Sequence, residues 1–443
     1  MLLTIFWENP VNQKAFATLA AASAVVLAAT AASAQVAVSL PVFEGDAYDG
    51  STVTGVSNPF VTGQSQLGVL LTLDDSSRTI YFDGASIFNS KDVTTNTLTG
   101  GEASFGVGTG GEFLYSPSID GDDGVWGDVG LVEVENRQAP GFPAGVNSTF
   151  HSRPMMDDAG NGYWVAGIND GTGSTSTSER VLYRYDRATG SVDVLLRSGD
   201  VIDGYTVTSS ASNIDFDFRL SNDGTHDMFL FNADGAATTA DATLVVDKMF
   251  VAQEGSANGT GDNWDNFDAM AISNTGNYVF SGDTDGATTS DEFIAYNGAI
   301  AIREGDTVDG FVLESTVDGL AMNDLDQAAF IWDTGPGLTD ETLFFATDAS
   351  NLAGSMAVLT VGDELDTDGD GVADAVLADF NSSGTVGPSL ALSNDGMLYM
   401  DVDLNDLAGN AIGEGIIGVA VPEPASLGLL GLAGLALVRR RRA

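Results

Sequence analysis

Apolar and polar residues alternate in short runs along the middle of this chain, and the runs stop at turns. Ile80-Tyr81-Phe82-Asp83-Gly84, Leu182-Tyr183-Arg184-Tyr185-Asp186 and Phe293-Ile294-Ala295-Tyr296-Asn297-Gly298 each predict a half-buried strand entering a tight turn. A turn motif, Gly-Asp-x-x-Asp-Gly, recurs at Gly45, Gly199 and Gly305, and a fourth copy from Gly362 ends on Thr367. Weaker copies lie at Glu254-Gly255-Ser256 and Pro140-Gly141. From Gly199 onward the copies at Gly199, Gly255, Gly305 and Gly362 follow one another at intervals of roughly 50 to 60 positions, a repeat period. The stretch from Gly45 to Gly199 divides into three such units, with one copy expected near Lys91-Asp92.

A second motif follows the later copies: LSNDG at 220–224, ISNTG at 272–276, MNDLD at 322–326 and LSNDG at 392–396, each succeeded by apolar residues such as Val279-Phe280 and Ala329-Phe330. Asn, Asp and Gly tolerate positive φ and bond to their own backbone, so this is turn chemistry. One unit therefore holds four short strands, the size of a propeller blade. The stretch from Gln35 to Ala420 makes seven units of about 55 residues. The expected fold is all-β: a repeat architecture, a seven-bladed β-propeller, with a β-solenoid or tandem β-sandwiches as rivals. The last strand, Gly415 to Val421, is expected to pair near Val36–Val42 and close the ring. Glycine is too frequent and helical periodicity too weak for a substantial helix between the two ends.

The two ends carry address rather than architecture. Lys14 precedes an Ala- and Val-rich run that finishes in Ala32-Ser33-Ala34, so residues 1–34 read as a secretory signal cut by signal peptidase after Ala34. Phe6, Trp7 and Glu8 fit such a signal badly, which places the expected translation start near Val11. At the other end Val421-Pro422-Glu423-Pro424 precedes the apolar run Leu427–Val438 and the cluster Arg439, Arg440, Arg441 and Arg442. Twelve apolar residues reach only about 18 Å as a helix, a marginal span held by its basic end in the cytoplasm. That order resembles the PEP-CTERM sorting signal. The resemblance implies a short C-terminal apolar helix over part of 421–443, transient anchoring in the inner membrane, and cleavage near Pro422-Glu423-Pro424 by an exosortase-type enzyme. It also implies delivery to the envelope, surface or extracellular matrix of a Gram-negative bacterium. Residues 35–420 remain as the β-repeat domain. There the stretch Asn323–Phe330 resembles the N-x-x-G-x-x-x-A-F tandem repeat of bacterial surface proteins, with Asp326 in place of the glycine.

Charge narrows the partners. The chain has 16 basic and 63 acidic residues. Without residues 1–34 and 425–443 the counts fall to 11 and 62. Such a field repels nucleic acid and anionic lipid and attracts divalent cations. With no cysteine there is no disulfide or thiolate site, and the two histidines, His151 and His226, fall in no nucleophile motif and read as surface or turn residues. The sharpest chemistry is Asp366-Thr367-Asp368-Gly369-Asp370-Gly371-Val372-Ala373-Asp374. Asp366, Asp368, Asp370 and Asp374, with the Val372 carbonyl, have the spacing of a calcium loop. Leu377 stands where an EF-hand has its bidentate Glu, and the segment is more similar to thrombospondin type 3 repeats; Asp379 and Asn381 are open as further donors. Asp120–Gly124 and Asp283–Gly286 read as plain acidic turns. Trp126, Trp164, Trp264 and Trp332 would stack sugars only if exposed. The expected function is a non-catalytic, secreted surface or matrix protein that binds polysaccharide or protein partners with calcium-assisted stability. The alternative is a secreted glycan-active enzyme, which requires a pocket of converging carboxylates with a strongly shifted pKa.

Overall fold

The computed structural model describes residues 36–48, 50–100, 104–169, 179–208, 217–335, 340–381 and 390–421. The secretory signal with Ala34, the motif residues Pro422, Glu423 and Pro424, the C-terminal apolar helix, and Arg439 and Arg440 lie outside these residues. The described chain is all-β, and its helical content is two short 3₁₀ segments, Ser90–Asp92 and Ala349–Gly354. Among the described residues no helix is long and apolar enough to cross a membrane.

Among the described residues the sheets of four or more strands are numbered I to VII in chain order. Their pairings are antiparallel except Val36–Ala37 beside Glu364–Asp366. Two further hairpins, Val201–Ile202 with Tyr205–Thr206 and Thr307–Val308 with Phe311–Val312, stand as two-stranded sheets. Sheet I is built on Phe60–Val61, Leu67–Leu73, Arg78–Phe82 and Ala85–Asn89, and sheet II on Phe105–Val107, Phe113–Tyr115, Asp122–Gly127 and Gly130–Val134. Sheet III is Ser148–Met156, Gly162–Ile168, Glu179–Asp186 and Ser191–Arg197; sheet IV is Asp217–Leu220, Asp227–Asn232, Ala242–Val246 and Met249–Gln253. Sheet V is Met270–Ile272, Tyr278–Gly282, Phe293–Tyr296 and Ala299–Arg303; sheet VI is Val317–Met322, Ala328–Asp333, Glu341–Ala346 and Met356–Thr360. Sheet VII joins Leu390–Leu392, Met397–Asn405 and Ala411–Ala420 to the N-terminal strand Ser39–Phe43.

One apolar cluster fills the gap between each pair of consecutive sheets. Ile294, Leu320, Phe330 and Phe344 join V to VI, and Leu343, Phe345, Leu377 and Met400 join VI to VII. Val42, Val69, Leu71 and Ile416 join VII back to I. The sheets therefore pack face to face around an axis as a β-propeller. Both faces of a sheet are covered, which is why Ala328–Asp333 and Gly162–Ile168 are buried at every position instead of alternating. The chain ends close the ring: Val42 pairs with Ile416 and Phe43 with Gly415.

Equal division into repeat units is not kept. Among the described residues, four of these sheets have four strands, two have six and one has seven. The surplus comes from strands that extend a sheet: Ala47–Tyr48 and Ser51–Val56 on sheet I, Leu98–Thr99 and Ser118–Ile119 on sheet II, and Val36–Ala37, Glu364–Asp366 and Ala375–Phe380 on sheet VII. At Lys91-Asp92 the chain makes a 3₁₀ turn instead of the expected Gly-Asp hairpin.

Both repeated motifs correspond to recurring hydrogen-bond patterns. Gly199 N–H donates to the Val207 carbonyl, Val207 N–H to Asp200, and Asp200 N–H to Arg197. The Asp200 carboxylate then accepts the Arg197 N–H at 3.0 Å. The same set recurs around Gly45, Gly305 and Gly362. At Gly255 the backbone bonds persist, and the Ser256 hydroxyl bonds the Gln253 carbonyl instead. In the second motif, Ser273 N–H donates to the Asn277 carbonyl and Gly276 N–H to Ser273. Corresponding pairs close the turns starting at Thr62, Gly108, Asp157, Ser221, Asn323 and Ser393, each linking the first two strands of its sheet. The fourth turn residue has positive φ in all of them, including Ser65 (63°) and Asp326 (58°).

Candidate functional site

The loop singled out for calcium is an insertion into one of the repeated hairpins. In two copies the bonded pairs are Gly199 with Val207 and Gly305 with Leu313, the same separation along the chain in each. There the tip is a two-residue turn with both residues at positive φ: Asp203 48° and Gly204 92°, Asp309 47° and Gly310 91°. The tip aspartates are structural, since Asp203 accepts the Phe250 N–H and Asp309 the Ala357 N–H, both at 3.0 Å, from an outer strand of the following sheet. In the fourth copy the same separation would pair Gly362 with Asp370. The Gly362 N–H instead donates to Leu377, well beyond that position, so the hairpin carries an insertion between the same closing bonds.

The lengthened hairpin holds the acidic loop. Carboxylate oxygens of Asp366, Asp368 and Asp370 all lie within 4.8 Å of one another, with Asp366 buried and the other two exposed. Asp366 accepts the Gly369 N–H at 2.7 Å and the Gly371 N–H at 2.9 Å, bonds that curl the loop around it. Gly369 and Gly371 sit at φ 76° and 86°, which a side chain would resist. Asp374 is not gathered with the other three; it accepts from the Thr367 N–H and hydroxyl. Val372 is exposed, and its N–H donates to Asp370. Asn381 donates to Asp401 and Asp403 instead of to the loop, and Asp379 pairs in register with Asp403.

Two further carboxylate groups were not anticipated: Asp268 with Asp283 and Glu292, and Asp318 with Asp333 and Glu341, each with oxygens mutually within 4.8 Å. Asp283 is thus more than the plain turn acid expected of it. The two groups occupy corresponding places on sheets V and VI. Asp268 precedes and Asp283 follows the Ser273 turn by the same intervals that separate Asp318 and Asp333 from Asn323. The first strand of each sheet runs from this cluster to the Ser273 or Asn323 turn, so the clusters lie at the opposite end of the ring from those turns. Burial, then a hydrogen bond and charge from Asp283, push the Glu292 carboxyl up to about 10. Burial and Asp318 push Asp333 up to about 6. Glu341 is raised by burial, Asp318 and Asp379, and Asp401 by burial and Glu414. On the inner strand of sheet IV, Asp217 overcomes its burial because Arg219 and Arg153, at 2.8 and 2.9 Å, hold its carboxyl low. The equal spacing of the aspartates about the two turns is the signal the sequence carries for these clusters; Glu292 and Glu341, 19 and 18 positions after Ser273 and Asn323, do not keep it.

The histidines and tryptophans are placed as follows. His226 lies in its turn with Nδ1 2.8 Å from Asp247. His151 is not a surface residue; it is buried in sheet III with Nε2 3.3 Å from Glu133 of sheet II. Trp126, Trp164, Trp264 and Trp332 are all buried and cannot stack sugars from solvent.

Residues 420–442 match the PEP-CTERM protein-sorting motif. The motif implies export to the Gram-negative envelope or surface and processing by an exosortase. No curated protein matches the chain in sequence. Among solved structures, the polysaccharide lyase Uly1 is similar at 10% identity, over 88% of this chain and 98% of that one, with a TM-score of 0.43. The Dos1 propeller is similar at 9% identity over 85% and 81%, TM-score 0.39. An α-L-arabinofuranosidase, ARB93A from Fusarium graminearum, is similar at 9% identity over 87% and 98%, TM-score 0.35.

Proposed function

We propose that the mature chain is a non-catalytic surface or matrix protein, a ring of seven blades that binds extracellular polysaccharide or protein partners and is stabilised by calcium at Asp366, Asp368 and Asp370. The observation that carries the calcium assignment is the insertion itself. Sister hairpins complete the same backbone bonds with a two-residue tip, so the inserted segment is not needed to close the hairpin. It brings three carboxylates together around two positive-φ glycines. Calcium prefers six to eight hard oxygens, and three carboxylates with loop carbonyls and water would supply them. The blade count is supported by the apolar cluster between every consecutive pair of sheets, VII and I included.

Calcium that binds only the folded chain raises stability by RT ln(1 + [L]/Kd), about 1 kcal/mol when the ion is a few-fold above Kd. The melting temperature should rise with millimolar calcium, and Asp368→Ala with Asp370→Ala should abolish most of that rise. Sodium at equal ionic strength is the control for general screening. Equal stabilisation by sodium, or an unchanged calcium response in the double variant, defeats the assignment.

A secreted glycan-active enzyme is the second reading. It is favoured by the Asp318–Asp333–Glu341 cluster, whose converging carboxylates and raised pKa values are what such an enzyme requires. Glycan turnover lost in Glu341→Gln, with the fold retained, would establish it in place of the binding role.

A further inference from the structure

The second residues of the recurring turns (Gly63, Thr109, Asp158, Asn222, Asn274, Asp324 and Asn394) meet at one end of the ring. Their bonds run between sheets, and several skip a sheet. The Asp324 carboxylate of sheet VI accepts from Asn222 Nδ2 of sheet IV at 3.1 Å, from the Asn274 N–H of sheet V at 3.3 Å, and from Asn394 Nδ2 of sheet VII at 2.8 Å. The Asp324 N–H in turn donates to Asn394 Oδ1 at 2.9 Å. Asn394 Nδ2 also donates to the Gly63 carbonyl of sheet I at 2.7 Å. Gly63 N–H donates to the Asp158 carboxylate of sheet III at 2.9 Å, passing over sheet II. Asp158 N–H donates to the Asn222 carbonyl at 2.7 Å, and Thr109 of sheet II reaches the Asp158 carbonyl at 2.9 Å. Every turn is thus tied into one network whose bonds cross the axis. Gly63 has a specific reason to lack a side chain: a Cβ there would stand 2.2 Å from the Asp158 carboxylate.

We propose that this network is an axial lock that seals the turn end of the central channel, with Asp324 as its shared acceptor. Ordinary turns in a repeat protein are stabilised within their own unit and contact nearest neighbours. Here one carboxylate serves donors from three other sheets, so its loss leaves partly buried donors unpaired in turns remote in sequence. Nothing in the turn itself demands this, because the backbone bonds that close 323–327 do not use the Asp324 side chain. Asp223 is the internal contrast: its carboxylate accepts only from Ser221 and Thr225 of its own turn among its hydrogen bonds.

Hydrogen exchange read at single amides separates the two roles. Asp324→Ala should lower protection of the Asn274 amide and of the Gly63 and Asp158 amides together, by tenfold or more. Asp223→Ala should affect 221–226 only. Loss confined to 323–327 in Asp324→Ala would overturn the lock. If that variant does not fold, Gly63→Ala breaks the Asp158 link from the other side and should expose the Asn274 and Asp324 amides; no change there would equally overturn it. The seal itself is read by thiol labelling, since the chain has no cysteine. Ala271, next to the turns, lines the channel and is partly buried. A bulky thiol reagent should modify Ala271→Cys at least tenfold faster when Asp324→Ala is added; an unchanged rate would mean that the turns do not seal this end.

Discussion

Replacing Glu133 with alanine is expected to cost about 2–6 kcal/mol, the summed cost of two buried donors left without an acceptor. The carboxylate of Glu133 is 5% exposed and links sheet II to sheet III, with His151 Nε2 at 3.3 Å and a wholly buried ring. It accepts the Trp164 Nε1–H at 3.0 Å and the Ser148 hydroxyl. Alanine leaves the Trp164 and Ser148 donors without their acceptor, and each unpaired buried donor costs about 1–3 kcal/mol. Water cannot easily repair this, because Trp164 and Val125 lie fully buried in the cluster between the same two sheets. Glu133→Gln keeps an acceptor oxygen and should cost roughly 1–2 kcal/mol, mostly the weaker, uncharged hydrogen bonds. Urea denaturation at constant pH measures both. A loss below about 1 kcal/mol for alanine, within the range of an ordinary surface change, would refute the view that this network holds the two sheets together.

Two other outcomes follow from the described groups. Glu292, raised in the fold to about 10 from an ordinary value of 4.5, contributes stability that is full below about pH 4.5 and lost as pH rises towards its folded pKa. Glu292→Gln should therefore gain stability over wild type at pH 9 relative to pH 5 in urea titrations, and parallel pH profiles would refute the shift. For sorting, replacing Glu423 or deleting Arg439–Arg442 should leave an unprocessed precursor in the inner membrane; normal mature size and release on immunoblots would refute the assignment of 420–442.

The repeating turns were legible because backbone geometry limits their residues. A glycine at φ near 90° and an aspartate that accepts an N–H three residues earlier leave a Gly-Asp signature, as at Gly199 and Gly305. The pairing of the chain ends was legible for a similar reason, since an orphan strand at each terminus needs a partner. The first three sheets hid their turns. Thr62–Gln66, Gly108–Glu112 and Asp157–Asn161 make the same bonds without the Ser-Asn-Asp-Gly letters, because the geometry needs only one positive-φ residue, here Ser65, Gly111 and Gly160. The carboxylate clusters were harder still. Asp268 and Asp283 fall on opposite sides of the Ser273 turn in sequence and look like two unrelated turn acids until the strands are paired. His151 misled for the opposite reason: its neighbours Ser152 and Arg153 are polar, and its buried partner Glu133 belongs to another sheet.

The binding role is tested most directly by incubating the purified mature chain, with calcium, with envelope polysaccharide from a Gram-negative bacterium and following both retention and new chain ends. Saturable retention that weakens on chelation, with no new reducing or unsaturated sugar ends, is the predicted result. Steady release of shortened glycan, abolished by Glu341→Gln, would contradict it and make the carboxylate end of the ring an active site.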